Sequence, residues 1–186
     1  MPTERKAAIV TGAASGLGRA MALGLVESGM DVVAVDRNAT ALAALAPAAS
    51  GRLGSVLPVP ADLMEPDAFD RIAAAALEKF GRIDVLVNNA GIGQASARAD
   101  ARLNPIRFWE VTPEQWSRFL AVNATAPIMM ARAVVPHMLR AGQGRLITVT
   151  TSLGTMVREG YLLYGSSKAA AESATAIMAA DLAGTG

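Results

Sequence analysis

Cysteine is absent from the 186 residues, so neither a disulfide nor a thiolate metal site can form, as suits a reducing compartment. Histidine occurs once, at His137 near the end of a long helical stretch, where it reads as a surface residue. No His, Asp and Glu cluster has the spacing of metal ligands, and no metal is expected. Aromatic residues make up 4% of a chain that is 52% hydrophobic, so the core must be built from Ala, Val, Leu, Ile and Met. Trp109 and Trp116 read as core packing residues, with the lining of a substrate pocket as the alternative, and the Met129-Met130 pair as core or interface packing. The formal net charge is +1 and no basic cluster stands out, which argues against nucleic acid as a partner. No apolar run reaches the roughly 18 residues of a membrane-crossing helix. The start, Met1-Pro2-Thr3-Glu4-Arg5-Lys6, lacks the apolar stretch of a signal peptide. These absences lead to the expectation of a soluble, cytoplasmic protein, with residues 1–186 forming one domain.

What is present begins with Ala7-Ala8-Ile9-Val10-Thr11-Gly12-Ala13-Ala14-Ser15-Gly16-Leu17-Gly18: an apolar strand, a glycine turn, then a helix. Gly12 suits the tight turn, Gly16 lets backbone N–H groups approach a phosphate, and Gly18 lets the helix pack close to the strand. A helix N-terminus offers unpaired N–H groups and a positive dipole end to a pyrophosphate.

Strands are expected at 6–11, 31–36, 55–62, 83–88 and 145–150, and helices at 16–29, 39–46, 66–80, 113–140 and 162–183. In the first helix Leu17, Ala20, Met21, Gly24, Leu25 and Ser28 recur at helical spacing. Pro47 is expected to stop the second helix, and Pro58 and Pro60 to put the third strand at an edge. Residues 92–111 lack a period and read as a long loop with one turn of helix. Thr112, Pro113 and Gln115 form a capping box, and Pro127 is expected to kink the long helix behind it. Strands alternating with helices give a doubly wound parallel sheet, a three-layer α/β/α fold of Rossmann type.

In such a sheet ligands lie at the carboxyl ends of the strands. Asp36, ending the second strand, can accept both adenosine ribose hydroxyls and would repel a 2′-phosphate, so NAD is expected in preference to NADP. Ser15, which brings no positive charge, agrees, whereas Arg37 could hold such a phosphate. Asp62 and Leu63 are placed to flank adenine. Asn88-Asn89-Ala90-Gly91 ends the fourth strand with small residues suited to the nicotinamide ribose. Tyr164 and Lys168, four apart on the last helix, share a face. A phenol is a poor acid or base at neutral pH, and an ammonium nearby favours the phenolate. Lys168 is one of only three lysines, a compact donor where an arginine fork would not serve.

The set Thr11-Gly12-x-x-x-Gly16-x-Gly18, Asp62, Asn88-Asn89-Ala90-Gly91, Asn123, Thr150-Thr151-Ser152 and Tyr164-x-x-x-Lys168 resembles the short-chain dehydrogenase/reductase family over essentially the whole chain. The resemblance implies hydride transfer between a nicotinamide cofactor and a secondary alcohol or ketone. It makes Tyr164 the general acid or base, with Lys168 lowering its pKa and holding the nicotinamide ribose. Asn123 would keep a water in the proton relay, and a hydroxyl at the end of the fifth strand would bind the substrate oxygen. Where the family usually has serine, thirteen residues before the tyrosine, this chain has Thr151, with Ser152 next to it as the reserve candidate. Family members usually run about sixty residues further, so the sequence reads as a C-terminally truncated form, with a dinucleotide-binding remnant or fragment without turnover as the alternative. The family's habit implies a homodimer or homotetramer through the helices near 113–140 and 162–183. With strand order 3-2-1-4-5, the fifth strand, apolar on both faces, would be an outer one in need of shielding.

Overall fold

The structure is a computed structural model that describes residues 5–185; the reading of the first four residues and of Gly186 falls outside the described residues. Contacts gather the chain into two compact units. One holds the residues up to Ala90, then Met129–Ile147 and the end from Gly184; the other holds Gly91–Ile128 and Thr148–Ala183.

The first unit is built on a five-stranded sheet of order β3-β2-β1-β4-β5. Its strands are β1 (Ala7–Thr11), β2 (Asp31–Asp36), β3 (Val56–Pro60), β4 (Val85–Asn88) and β5 (Arg145–Thr148). β1 runs parallel to β2 and to β4, in register Ile9 to Val33 and Ile9 to Leu86, and β2 runs parallel to β3. The proline-bearing β3 is at one edge, as expected, and β5 is at the other, where Ile147 is half exposed.

Side chains alternate across a strand. Ala8, Val10, Val32, Ala34 and Val87 pack one face against Ala22 and Val26 of α1 (Gly16–Glu27), Leu42 of α2 (Ala39–Ala43) and Leu45 of α3 (Leu45–Ala48). The intervening residues Ile9, Val33 and Leu86 are buried on the other face, and α4 (Ala68–Phe80), buried through Phe69, Ile72, Ala73 and Ala76, packs on the sheet. Two expectations are corrected here. The buried stripe of α1 is Gly18, Ala22 and Val26, one position off the apolar spacing, and Leu17 is exposed. Close approach at Gly18 sets that rotation. Pro47 does not stop a helix but lies within α3, whose first turn needs no N–H from it.

The second unit contains two short 3₁₀ turns, Gln94–Ser96 and Phe108–Glu110, where one helical turn is expected. α5 (Pro113–Leu120) opens with the Thr112/Gln115 capping box, both reciprocal hydrogen bonds present. The helix then widens into a π turn, Ala121–Thr125, before α6 (Ala126–Ala141) resumes, its residues from Met129 onward belonging to the first unit. Pro127 thus sits in the first turn of a new α segment, where proline is tolerated, rather than at a kink in a continuous helix. The proline inside the helix is Pro136. α7 (Leu153–Met156) and α8 (Leu162–Asp181) complete the chain. Phe119 and Leu163 are buried with Ile106, and Tyr164 packs against them. Trp109 and Trp116, read as packing residues, are exposed at 71% and 36%. The 29 residues Pro113–Ala141 are long and apolar enough to cross a membrane by length and composition alone, contrary to the sequence reading. Half of their most apolar stretch is buried within the fold, as in a core helix.

Candidate functional site

Two sets of residues, one in each unit, carry the expected chemistry. In the first, Gly12 adopts φ +69°, and a Cβ there would stand 2.9 Å from the Ala90 Cα. At Gly18 a Cβ would collide with the Gly12 carbonyl, so the start of α1 lies against the strand end as the motif requires. Ser15 precedes α1 in extended conformation and its side chain makes no capping bond. The first N–H groups of α1, from Gly16, Leu17 and Gly18, therefore have no side-chain cap, and these residues can take a phosphate.

The Asp36 carboxylate is held by two backbone donors, Ala14 N–H to Oδ2 at 3.1 Å and Asn38 N–H to Oδ1 at 3.0 Å. Each oxygen keeps a lone pair for a further donor, which suits a diol. Asp62 accepts from Met64 N–H at 2.9 Å, and Leu63 beside it is half-buried. A cavity of about 640 Å³ lies here, lined by Arg37, Asn38, Pro60, Ala61, Asp62, Glu65 and Arg71. The donors, the turn and the cavity fit a dinucleotide. Sequence reading missed Thr11 as a positioning residue: its Oγ1 accepts the N–H groups of Asn89 and Ala90 at 3.0 and 3.1 Å. The Asn89 side chain returns a bond to the Thr11 carbonyl at 3.0 Å, fixing the end of β4 to the end of β1.

In the second unit Asn123 sits in the π turn, fully buried. Its side chain clasps the backbone of Ile92, accepting the N–H at 2.8 Å and donating to the carbonyl at 2.9 Å. It also donates to Ser167 Oγ at 3.0 Å, and Ser167 donates to the Tyr164 carbonyl at 2.9 Å. Lys168 is buried and its Nζ donates to the Val149 carbonyl at 2.7 Å. Burial pushes this ammonium below the ordinary lysine value. A Cβ on Gly91 would lie 3.2 Å from Asn123 Oδ1 and 3.5 Å from Lys168 Nζ, so Asn123 and Lys168 meet at this glycine.

Thr151 is half-buried just after β5. Ser152 is exposed and caps α7, accepting Thr155 N–H at 3.3 Å and sharing a hydrogen bond with the Thr155 hydroxyl. Ser167 and Gln94 were not read from the sequence. Gln94 donates to the Gly160 carbonyl while its buried Oε1 has no hydrogen-bond partner among the described residues. Ser167 lies three residues past Tyr164 on one helix, a spacing that could have revealed it.

Comparison with known proteins adds a family to this geometry. Residues 6–186 match the family model for short chain dehydrogenases. The chain is 35% identical over 189 residues to a 1-deoxy-11-beta-hydroxypentalenate dehydrogenase of Streptomyces exfoliatus, covering 100% of this chain and 65% of that protein. Among solved structures, a metagenomic short-chain oxidoreductase in complex with NADP superposes with a TM-score of 0.87 at 30% identity, covering 97% of this chain and 77% of that one. A short-chain dehydrogenase/reductase from Burkholderia phymatum in complex with NAD gives a TM-score of 0.87 at 28% identity, over 100% of this chain and 63% of that one.

Proposed function

The chain belongs to the short-chain dehydrogenase family, and from that premise we propose that it is a nicotinamide-dependent oxidoreductase acting on a secondary alcohol or ketone. The observation that carries the reading is the buried Lys168, one helical turn past Tyr164, meeting Asn123 at Gly91. Gly12, Ser15, Gly16, Leu17 and Gly18 bind the diphosphate, Asp36 and Arg37 face the adenosine ribose, and Asp62 and Leu63 flank the adenine. Asn89, Ala90, Gly91, Tyr164 and Lys168 take the nicotinamide ribose. The bound nicotinamide supplies the hydride acceptor or donor.

Tyr164 Oη takes the proton from the substrate hydroxyl during oxidation and returns it during reduction. The Lys168 ammonium favours the phenolate form that makes this possible. Thr151 Oγ1 donates to the substrate oxygen, and Asn123 holds the water through which the proton reaches solvent. NAD is preferred to NADP, supported by the Asp36 carboxylate, fixed by two backbone donors where a 2′-phosphate would meet its charge. The protein works in the cytoplasm on a small molecule, as a homodimer or homotetramer through its two last long helices. Trp116, Leu139 and Ile177, exposed on those helices, support that assembly.

The test is NAD reduction with a panel of secondary alcohols, with Tyr164→Phe as control. The variant should lose a hundredfold or more in kcat, in the range of general acid–base catalysis, and still bind NAD. An unchanged rate overturns the assignment.

A further inference from the structure

Two guanidinium groups, Arg37 and Arg71, line the 640 Å³ cavity beside Asp36. They differ in how they are held. Arg37 has no hydrogen bond or ion pair among the described residues, and its charge is open to the cavity. Arg71, one turn into α4, is held from two sides: Nη2 meets Glu65 Oε2 at 2.7 Å, and Nε meets Asp67 Oδ2 at 3.3 Å. Both carboxylates come from the segment between β3 and α4, and Glu65 lines the same cavity. All three side chains are more than half exposed, so the pairing is weak and can be exchanged for a stronger anion.

We infer that Glu65 and Asp67 act as a specificity lock: by engaging Arg71 they keep the second guanidinium from a 2′-phosphate, reinforcing the repulsion from Asp36. The inference rests on the proposed function, in which this cavity takes the adenosine end of the cofactor. Discrimination is then a balance. A 2′-phosphate would meet the charges of Asp36, Asp62 and Glu65, against Arg37, alone of the two cavity guanidiniums in having no partner among the described residues. Neutralising the two locking carboxylates removes two negative charges and releases a planar fork suited to phosphate. Cofactor preference is thus set by residues on α4 and its approach as well as at the end of β2.

The experiment uses the full chain and two probes without nicotinamide, adenosine 5′-diphosphate and its 2′-phosphorylated form, with affinities measured by calorimetry. This reads the adenosine end alone. The double variant Glu65→Gln/Asp67→Asn should shift the affinity ratio of the two probes about tenfold toward the 2′-phosphorylated one, on the scale of one or two exposed charges near 4 Å. Adding Arg71→Met should remove most of that shift, leaving only the part that loss of negative charge supplies, and thermal melting of each variant checks that the fold is retained. No shift in the double variant overturns the inference. A shift undiminished by Arg71→Met also overturns it, since loss of negative charge alone then explains the whole gain. If the wild type binds neither probe, the cofactor reading itself fails and the inference falls with it; binding of adenosine 5′-diphosphate with an unmoved ratio defeats the lock alone.

Discussion

Ser152 shows how a side chain's local partner decides between neighbouring candidates. Its Oγ accepts the Thr155 N–H, which also donates to the Ser152 carbonyl at 2.9 Å, and it pairs with the Thr155 hydroxyl. Thr151 has no such local use among the described hydrogen bonds and is half-buried. Thr151→Val is therefore expected to lower kcat about a hundredfold through loss of the donor to the substrate oxygen. Ser152→Ala should cost about 1 kcal/mol of stability, the worth of a cap, with turnover within a few-fold of wild type. Steady-state kinetics and thermal melts on both variants check the pair; the reverse pattern would hand the role to Ser152. The glycines were legible because their demand is local: Gly12 needs a positive φ, and Gly18 needs the space that the Gly12 carbonyl fills. The grip of Asn123 on Ile92 was not, because the partner lies 31 residues away and is backbone, which carries no residue-type signal.

At the scale of elements, prolines and helix periodicity depend on what the neighbouring backbone does. Pro127 stands behind the π turn, where the N–H of Ala126 already reaches back five residues to the Ala121 carbonyl. The missing N–H of Pro127 is absorbed by an α segment starting afresh, so the sequence signal was real and its structural outcome different. The π turn places Asn123 inward, and turns of this kind recur at functional positions. Pro136 lies in the interior of α6 and on its exposed side, where it removes one helical hydrogen bond and buries nothing. Pro136→Ala should raise stability by about 1–3 kcal/mol, seen as a higher Tm with no change in nucleotide affinity. A lower Tm would mean that the ring makes packing contacts worth more than the hydrogen bond it removes. The stripe of α1 was misread for a related reason. Periodicity reports apolar residues, whereas close approach to the strand end demanded Gly18 and Ala22 on the buried side.

At the scale of the whole sheet, opposite ends of the strands do different work. The carboxyl ends carry the glycine turn, Asp36 and Asn89. The amino ends are joined by two buried carboxylates. Asp31, opening β2, accepts the Ser55 N–H at 2.9 Å, the Ser55 hydroxyl at 2.7 Å and Arg5 at 3.2 Å, tying β2 to the start of β3. Asp84, just before β4, accepts the Ala7 N–H at 2.8 Å and the Arg82 guanidinium at 2.7 Å, while its own carbonyl accepts Arg145 N–H at 2.9 Å. Burial alone pushes both carboxyls up. The Arg82 and Ala7 bonds and the charges of Arg82 and Lys6 outweigh it at Asp84, and Ser55 and Arg5 do so at Asp31, leaving both below the ordinary aspartate value. The folded chain therefore binds these two protons less tightly than the unfolded chain. Their stabilisation is complete above about pH 4, the unfolded value, and is lost as pH falls through the lower folded values. Urea unfolding between pH 7 and pH 3 should show stability declining in that acid range. Asp84→Asn should lose about 2 kcal/mol at pH 7, because Arg82 is only partly exposed and keeps a weaker acceptor, and its acid decline should be shallower than the wild type's. Adenosine 5′-diphosphate affinity at pH 7 should stay unchanged, since the substitution lies at the far end of the strands from Asp36. A variant whose acid decline matches the wild type's would show that Asp84 does not govern it.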